Sequence, residues 1–188
     1  MTTSPTYVLV DGENIDATLG MSVLGRRPNP EERPRWDRIL TFAGNLGGEG
    51  SARGLFFLNA STGQLPMGFV QALLAMGYTP IPLASDGDEK VVDVGIQRTL
   101  DAIAARESGN VLLASHDGDF IPQVAGLLNA GHRVGMLCFR EFLNSRLGEL
   151  SSRGLQIYDL ETDIGAFTVP LPRIRIIPLA EFDPNLFL

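Results

Sequence analysis

The stretch Asn110-Val-Leu-Leu-Ala114, running directly into Ser115-His116-Asp117-Gly118-Asp119-Phe120, decides how this chain is read. The first part is a short apolar run with no polar alternation. That describes a strand covered on both faces, as in a parallel sheet packed between helices. The second part breaks the run with glycine and two carboxylates. In open parallel sheets ligands bind beyond the carboxyl ends of the strands. A serine, a histidine and two aspartates at such an end therefore form a candidate site.

The same alternation extends to both sides. Upstream, Tyr7–Val10 is a second buried strand that ends at Asp11-Gly12, and residues 14–24 read as a short helix. Residues 25–35 are a loop rich in proline and charge. Trp36–Leu46 has apolar residues at helical spacing, and the glycine-rich stretch Asn45–Ser51 stops it. Arg53–Asn59 is a strand, Pro66–Met76 a helix, and Thr79–Leu83 a strand that Pro80 and Pro82 confine to a sheet edge. Residues 90–107 form the longest helical pattern, with Val92, Ile96, Leu100, Ile103 and Ala104 as its apolar stripe. Downstream come a helix at Phe120–Asn129, a strand at Arg133–Cys138, a short helix at 142–150 and a sixth strand at Leu155–Tyr158. This order predicts an α/β, Rossmann-like three-layer sandwich. Its mostly parallel sheet has five or six strands in the order 3-2-1-4-5. The domain spans 1–163. Residues 164–188 are an apolar, proline-containing extension (Phe167, Leu171, Ile174, Ile176, Phe182, Phe187), expected to lie across its own domain or a neighbouring subunit, the latter giving a homodimer.

Composition narrows the chemistry. The 188 residues are 44% hydrophobic and 20% charged, ordinary for a folded domain. No apolar run approaches the roughly 20 residues that span a bilayer, and Met1–Thr6 lacks a signal-peptide pattern, so a cytoplasmic chain is expected. Cys138 is the only cysteine, and His116 and His132 are the only histidines. Disulfide frameworks and Cys- or His-rich metal sites are thereby excluded. Any metal must be held mainly by carboxylates, which favours hard ions. The formal net charge of −7 argues against a uniformly basic surface but leaves room for a local groove. Fourteen of the fifteen cationic side chains are arginine, and Lys90 is the lone lysine.

Three acidic clusters fall at strand ends: Asp11-Gly12-Glu13-Asn14, Asp117-Gly118-Asp119, and Asp86, Asp88 and Glu89 leading into Lys90-Val91-Val92-Asp93. Each acid taken singly also fits a duller role. Asp11 suits a turn, Asp93 the first turn of a helix, and Asp117 or Asp119 an N-cap. Capping does not require them to share one edge, however. With the first and fourth strands as neighbours, Asp11, Asp93, Asp117 and Asp119 converge, and four close carboxylates cannot all stay ionised without a cation.

Val10-Asp11-Gly12-Glu13-Asn14, Lys90-Val91-Val92-Asp93-Val94 and Ser115-His116-Asp117-Gly118-Asp119-Phe120-Ile121-Pro122 together resemble the NYN domains of the PIN-like nuclease superfamily, in the bacterial LabA-like branch. The resemblance covers residues 6 to about 160 and continues through Gly131-His132-Arg133-Val134 and Ser145–Leu147. It implies that Asp11, Asp93, Asp117 and Asp119 bind Mg2+ or Mn2+. It also implies that Asn14 orients the first carboxylate or a phosphate, that Ser115 supports the cluster, and that Lys90 contacts a phosphate. The implied activity is metal-dependent hydrolysis of RNA phosphodiesters, leaving a 5′-phosphate and a 3′-hydroxyl, with single-stranded or structured RNA as partner. Two departures stand out. Many relatives carry a further acid where this chain has Thr99, and a small residue where it has His116. Together with the net negative charge, Thr99 favours the alternative of a non-catalytic module for RNA or protein binding.

Other features read two ways. Arg26, Arg27, Arg33, Arg35 and Arg38 form either an arm that grips a phosphate backbone or a solvated loop with internal ion pairs. Trp36 stacks a base or packs in the core, with helical spacing favouring the core. His116 is a proton shuttle or a surface-loop histidine. Cys138 is a small buried residue. Asp11 lacks the Asp-x-Asp partner of dehalogenase-type phosphatases, and Cys138-Phe139-Arg140 lacks the lysine of response-regulator receivers.

Overall fold

All six strands of the sheet run in the same direction. They are β1 (Thr6–Asp11), β2 (Ala52–Asn59), β3 (Tyr78–Leu83), β4 (Asn110–Ala114), β5 (Val134–Cys138) and β6 (Gln156–Asp159), in the order β3-β2-β1-β4-β5-β6. This is the expected order, extended by β6 beyond β5. The computed structural model describes residues 4–46, 52–173 and 176–188. The start of the N-terminus, the glycine-rich stop at 47–51 and Ile174 of the tail lie outside the described residues.

The chain builds three layers because strand side chains alternate between faces. Tyr7, Leu9, Val111, Leu113, Met136 and Cys138 face α4 (Val91–Ala104), α5 (Ile121–Asn129) and α6 (Ser145–Glu149). Val8, Val10, Leu112, Ala114 and Leu137 face α1 (Gly12–Ala17), α2 (Trp36–Leu46) and α3 (Met67–Ala75). Central β1 is buried along its whole length. Each of its aliphatic side chains contributes about 1.5–3 kcal/mol by leaving water. Trp36 is a core residue, edge-on to Phe56 with ring centroids 5.0 Å apart, and Cys138 is fully buried.

Some local boundaries differ from the sequence reading. The first helix starts at Gly12 rather than 14, because Asp11 accepts the main-chain N–H of Asn14 and caps it. It continues as a π-helical segment, Thr18–Leu24, and stops at Gly25, whose φ of 66° suits glycine. The helix expected at 142–150 is α6 flanked by 3-10 turns at Arg140–Phe142 and Leu150–Arg153. In the extension, Ala166 and Leu171 are buried against the layer of α1, α2 and α3. Arg38 donates to the carbonyls of Gly165 and Phe167, and the Arg35 N–H to that of Ala166. From Ile176 onward the large apolar side chains are exposed.

Candidate functional site

The sheet changes direction of winding between β1 and β4, and a cavity of about 410 Å3 opens there, beyond the carboxyl ends of the strands. Asp11, Asn14, Asn59, Lys90, Asp93 and Asp117 line it, together with Glu13 and Glu89. A cavity of similar size at the opposite edge, around Thr6, Asn110 and Arg133, has no acid among its described lining residues. Chemistry therefore distinguishes the two openings where size does not.

Register explains how the first carboxylate meets the β4 loop. Val10 pairs with Ala114, so Asp11 and Ser115 emerge side by side one step later, on the α4 face. The Ser115 hydroxyl donates to Asp11 Oδ2 at 3.0 Å and accepts the N–H of Asp117 at 3.2 Å. Asp117 in turn accepts the N–H of Asp119 at 2.9 Å, capping a 3-10 turn at Gly118–Phe120. Asp93 projects from the first turn of α4. The duller capping roles and the convergence thus coexist. Asp93, Asp117 and Asp119 each offer a carboxylate oxygen within 4.8 Å of the others. Asp11 is not one of that trio; it lies at the back of the same cavity, only 3% exposed.

Electrostatics follow from that arrangement. Burial, opposed by the Ser115 hydrogen bond and reinforced by the charges of Asp93 and Asp117, pushes the Asp11 carboxyl up to about 6. Asp93 is also raised, first by burial and then, against the attraction of Lys90, by Asp117 and Asp119. The ammonium of Lys90 lies 3.3 Å from Asp119 and 3.6 Å from Asp93, and its pKa is raised chiefly by the bond to Asp119. Its side chain is 72% exposed.

The expected role of Asn14 is to orient Asp11 or a phosphate; its main-chain N–H donates to Asp11 Oδ1. Asn14 Oδ1 accepts both the N–H of His116, at 2.8 Å, and the His116 ring, at 2.9 Å from Nδ1. His116 is not a surface-loop residue. It is buried and its Nε2 accepts the Phe139 N–H at 2.8 Å, so Nδ1 carries the proton. Burial holds it down to about 4, neutral at pH 7.

Of the arginine cluster, Arg26 forks onto Glu32 with contacts of 2.7 and 2.8 Å, Arg33 pairs with Asp16 and Arg35 with Asp37. Arg26 and Arg27 border a separate hollow with Asp16 and Pro28, whose lining shares no residue with that of the acid cavity. The Thr99 hydroxyl donates to the Gly95 carbonyl at 2.8 Å within its own helix. Asn59 was missed by the sequence reading. It ends β2 beside Asp11's strand, and its place as the last polar residue of a predicted strand was the available signal.

In overall fold the chain is similar to a protein of unknown function from Vibrio parahaemolyticus, with a TM-score of 0.65 and 19% identity over 86% of this chain and 96% of that one. No curated protein matches. The family model described as the NYN domain matches residues 5–152, from β1 through α6 and including every acid of the cavity. By that match over most of its length, the chain belongs to the NYN domain family.

Proposed function

We propose that this chain is a divalent-metal-dependent ribonuclease, acting on RNA at the carboxyl edge of its sheet. The observation that carries the reading is the meeting of Asp93, Asp117 and Asp119 in front of the raised carboxyl of Asp11. An all-oxygen donor set of this kind fits Mg2+ or Mn2+ better than a softer ion. Asp93, Asp117 and Asp119 would hold the ion, with Asp11 behind them. When bound, it would supply Lewis acidity to a phosphodiester and lower the pKa of water.

The protein's own groups have separable tasks. Ser115 holds Asp11 through a hydrogen bond at the back of the cavity, where burial raises its carboxyl above the ordinary range. Lys90, released from Asp119 and Asp93, is within reach of a phosphate that enters the cavity. The LabA-like branch and a cytoplasmic setting belong to the same proposal; among the described residues no helix is long and apolar enough to cross a membrane.

A second reading, binding without cleavage, draws on Thr99 and on the internal pairing of Arg26, Arg33 and Arg35, which leaves little free positive charge on that loop. Incubating single-stranded and hairpin RNA with the protein and Mn2+ separates the two. Cleavage that Asp93→Asn abolishes supports the nuclease. Retained RNA binding without cleavage by either protein supports the second reading, and equal cleavage by both removes the acids from the mechanism.

A further inference from the structure

We propose that Phe167, in the extension beyond the NYN domain match, is a positioning residue for the acid cavity, acting through Phe139 and His116. The proposal rests on the cation-binding reading above. The matched region ends at 152, yet the extension folds back and reaches the rear of the site. Phe167 stacks on Phe139 with ring centroids 5.8 Å apart and planes 25° apart. Phe139 follows β5, is fully buried, and lies parallel to the His116 ring, 5.8 Å away and within 7°. Its N–H fixes His116 Nε2, which leaves Nδ1–H to donate to Asn14.

That last contact joins the two halves of the cavity. Asn14 Oδ1 sits three residues after Asp11, whereas His116 immediately precedes Asp117. Two donors from His116 converge on this one oxygen. His116 leads directly into Asp117, so a shift of Phe139 would pass through these hydrogen bonds to the position of that ligand. Strand alternation makes the arrangement possible. Ser115 turns to the acid side, and His116 turns to the opposite face, where the extension lies.

The extension is pinned where it presses. Arg38 holds the carbonyls on both sides of Ala166 at 2.9 and 3.0 Å, and the Arg35 N–H holds Ala166 itself at 2.7 Å. Arg173 lies over the Phe139 ring, 5.6 Å from its centroid, and pairs with Glu141 and Glu161. Groups hydrogen-bonded to metal ligands orient them, and their loss costs about 10–100-fold in affinity; Phe167 stands further out, so the low end of that range applies.

The test measures Mn2+ affinity by calorimetry alongside melting temperature in chelator, on the full chain. Phe167→Ala is expected to weaken Mn2+ binding about tenfold, and Phe167→Tyr, which keeps the ring, to restore it. Leu128→Ala, in the opposite layer, is expected to melt earlier and bind Mn2+ like the unaltered chain. If Phe167→Ala is too unstable to purify, Phe167→Leu probes the same stack with the same two outcomes. Unchanged affinity in the Phe167 variant, or a matching loss in Leu128→Ala, overturns the positioning role while leaving the cation site intact. Absence of Mn2+ binding by the unaltered chain overturns the cation reading itself, and this inference with it.

Discussion

The hydroxyl of Ser115 donates to Oδ2 of Asp11 across 3.0 Å, linking the ends of two adjacent parallel strands. The bond partly offsets the desolvation of Asp11 and relays to Asp117, whose N–H the same hydroxyl oxygen accepts. Ser115→Ala removes both contacts from a fully buried position. We expect a loss of about 1–3 kcal/mol in unfolding free energy, read by urea denaturation, and a further rise of the Asp11 pKa.

Asp11 gives a pH dependence of definite sign. Its folded pKa of about 6 lies above the ordinary 3.8, so the native state binds the proton more tightly than the unfolded chain. Its cost to stability is absent below about pH 4, grows between 4 and 6, and is full above, at about 3 kcal/mol. Asp11→Asn has no such titration. The stability of the variant relative to the unaltered protein, in chelator, should therefore climb across that window. A difference independent of pH would show that Asp11 titrates normally.

His116 contributes the opposite slope. Its pKa is lowered from 6.5 to about 4, so its stabilisation is present above pH 6.5 and is lost as the pH falls toward 4. The two groups offset each other in the unaltered protein, which is why the Asp11 effect must be read as a difference. With only two histidines in the chain, NMR resolves His116 directly. Its ring signals should stay those of the neutral Nδ1–H tautomer at pH 5.5.

Lys90 bridges Asp119 and Asp93 with contacts of 3.3 and 3.6 Å. A cation entering the trio competes with this ammonium, while an RNA phosphate gains from it. Lys90→Met should raise Mn2+ affinity about two- to fivefold, the scale of an exposed ion pair, and weaken RNA binding. Calorimetry and a filter-binding assay report the two effects separately, and a fall in Mn2+ affinity would contradict the competition.

Strand order was legible because apolar runs, glycine stops and the prolines of β3 are local signals, and right-handed crossovers then leave few topologies. The acids were legible because Asp11, Asp93 and Asp117 each sit at an element boundary. The partners of those acids were not. Nothing local tells that Asn14 turns to His116 instead of Asp11, because that depends on Phe139, more than a hundred residues along the chain from Asn14. The arginine loop was equally balanced in sequence. Its pair to Asp16 emerges only once α1 and the loop are packed together.

The most direct test of the cation reading is a titration of thermal stability with Mg2+ and Mn2+ on the unaltered protein and Asp93→Asn in parallel. A ligand at a hundred times its dissociation constant stabilises the native state by about 2.7 kcal/mol, or about 5–10 °C for a chain of this length. The account predicts a rise of that size in the unaltered protein and none in Asp93→Asn. A flat response in both proteins at millimolar metal, or an equal rise in both, would contradict it.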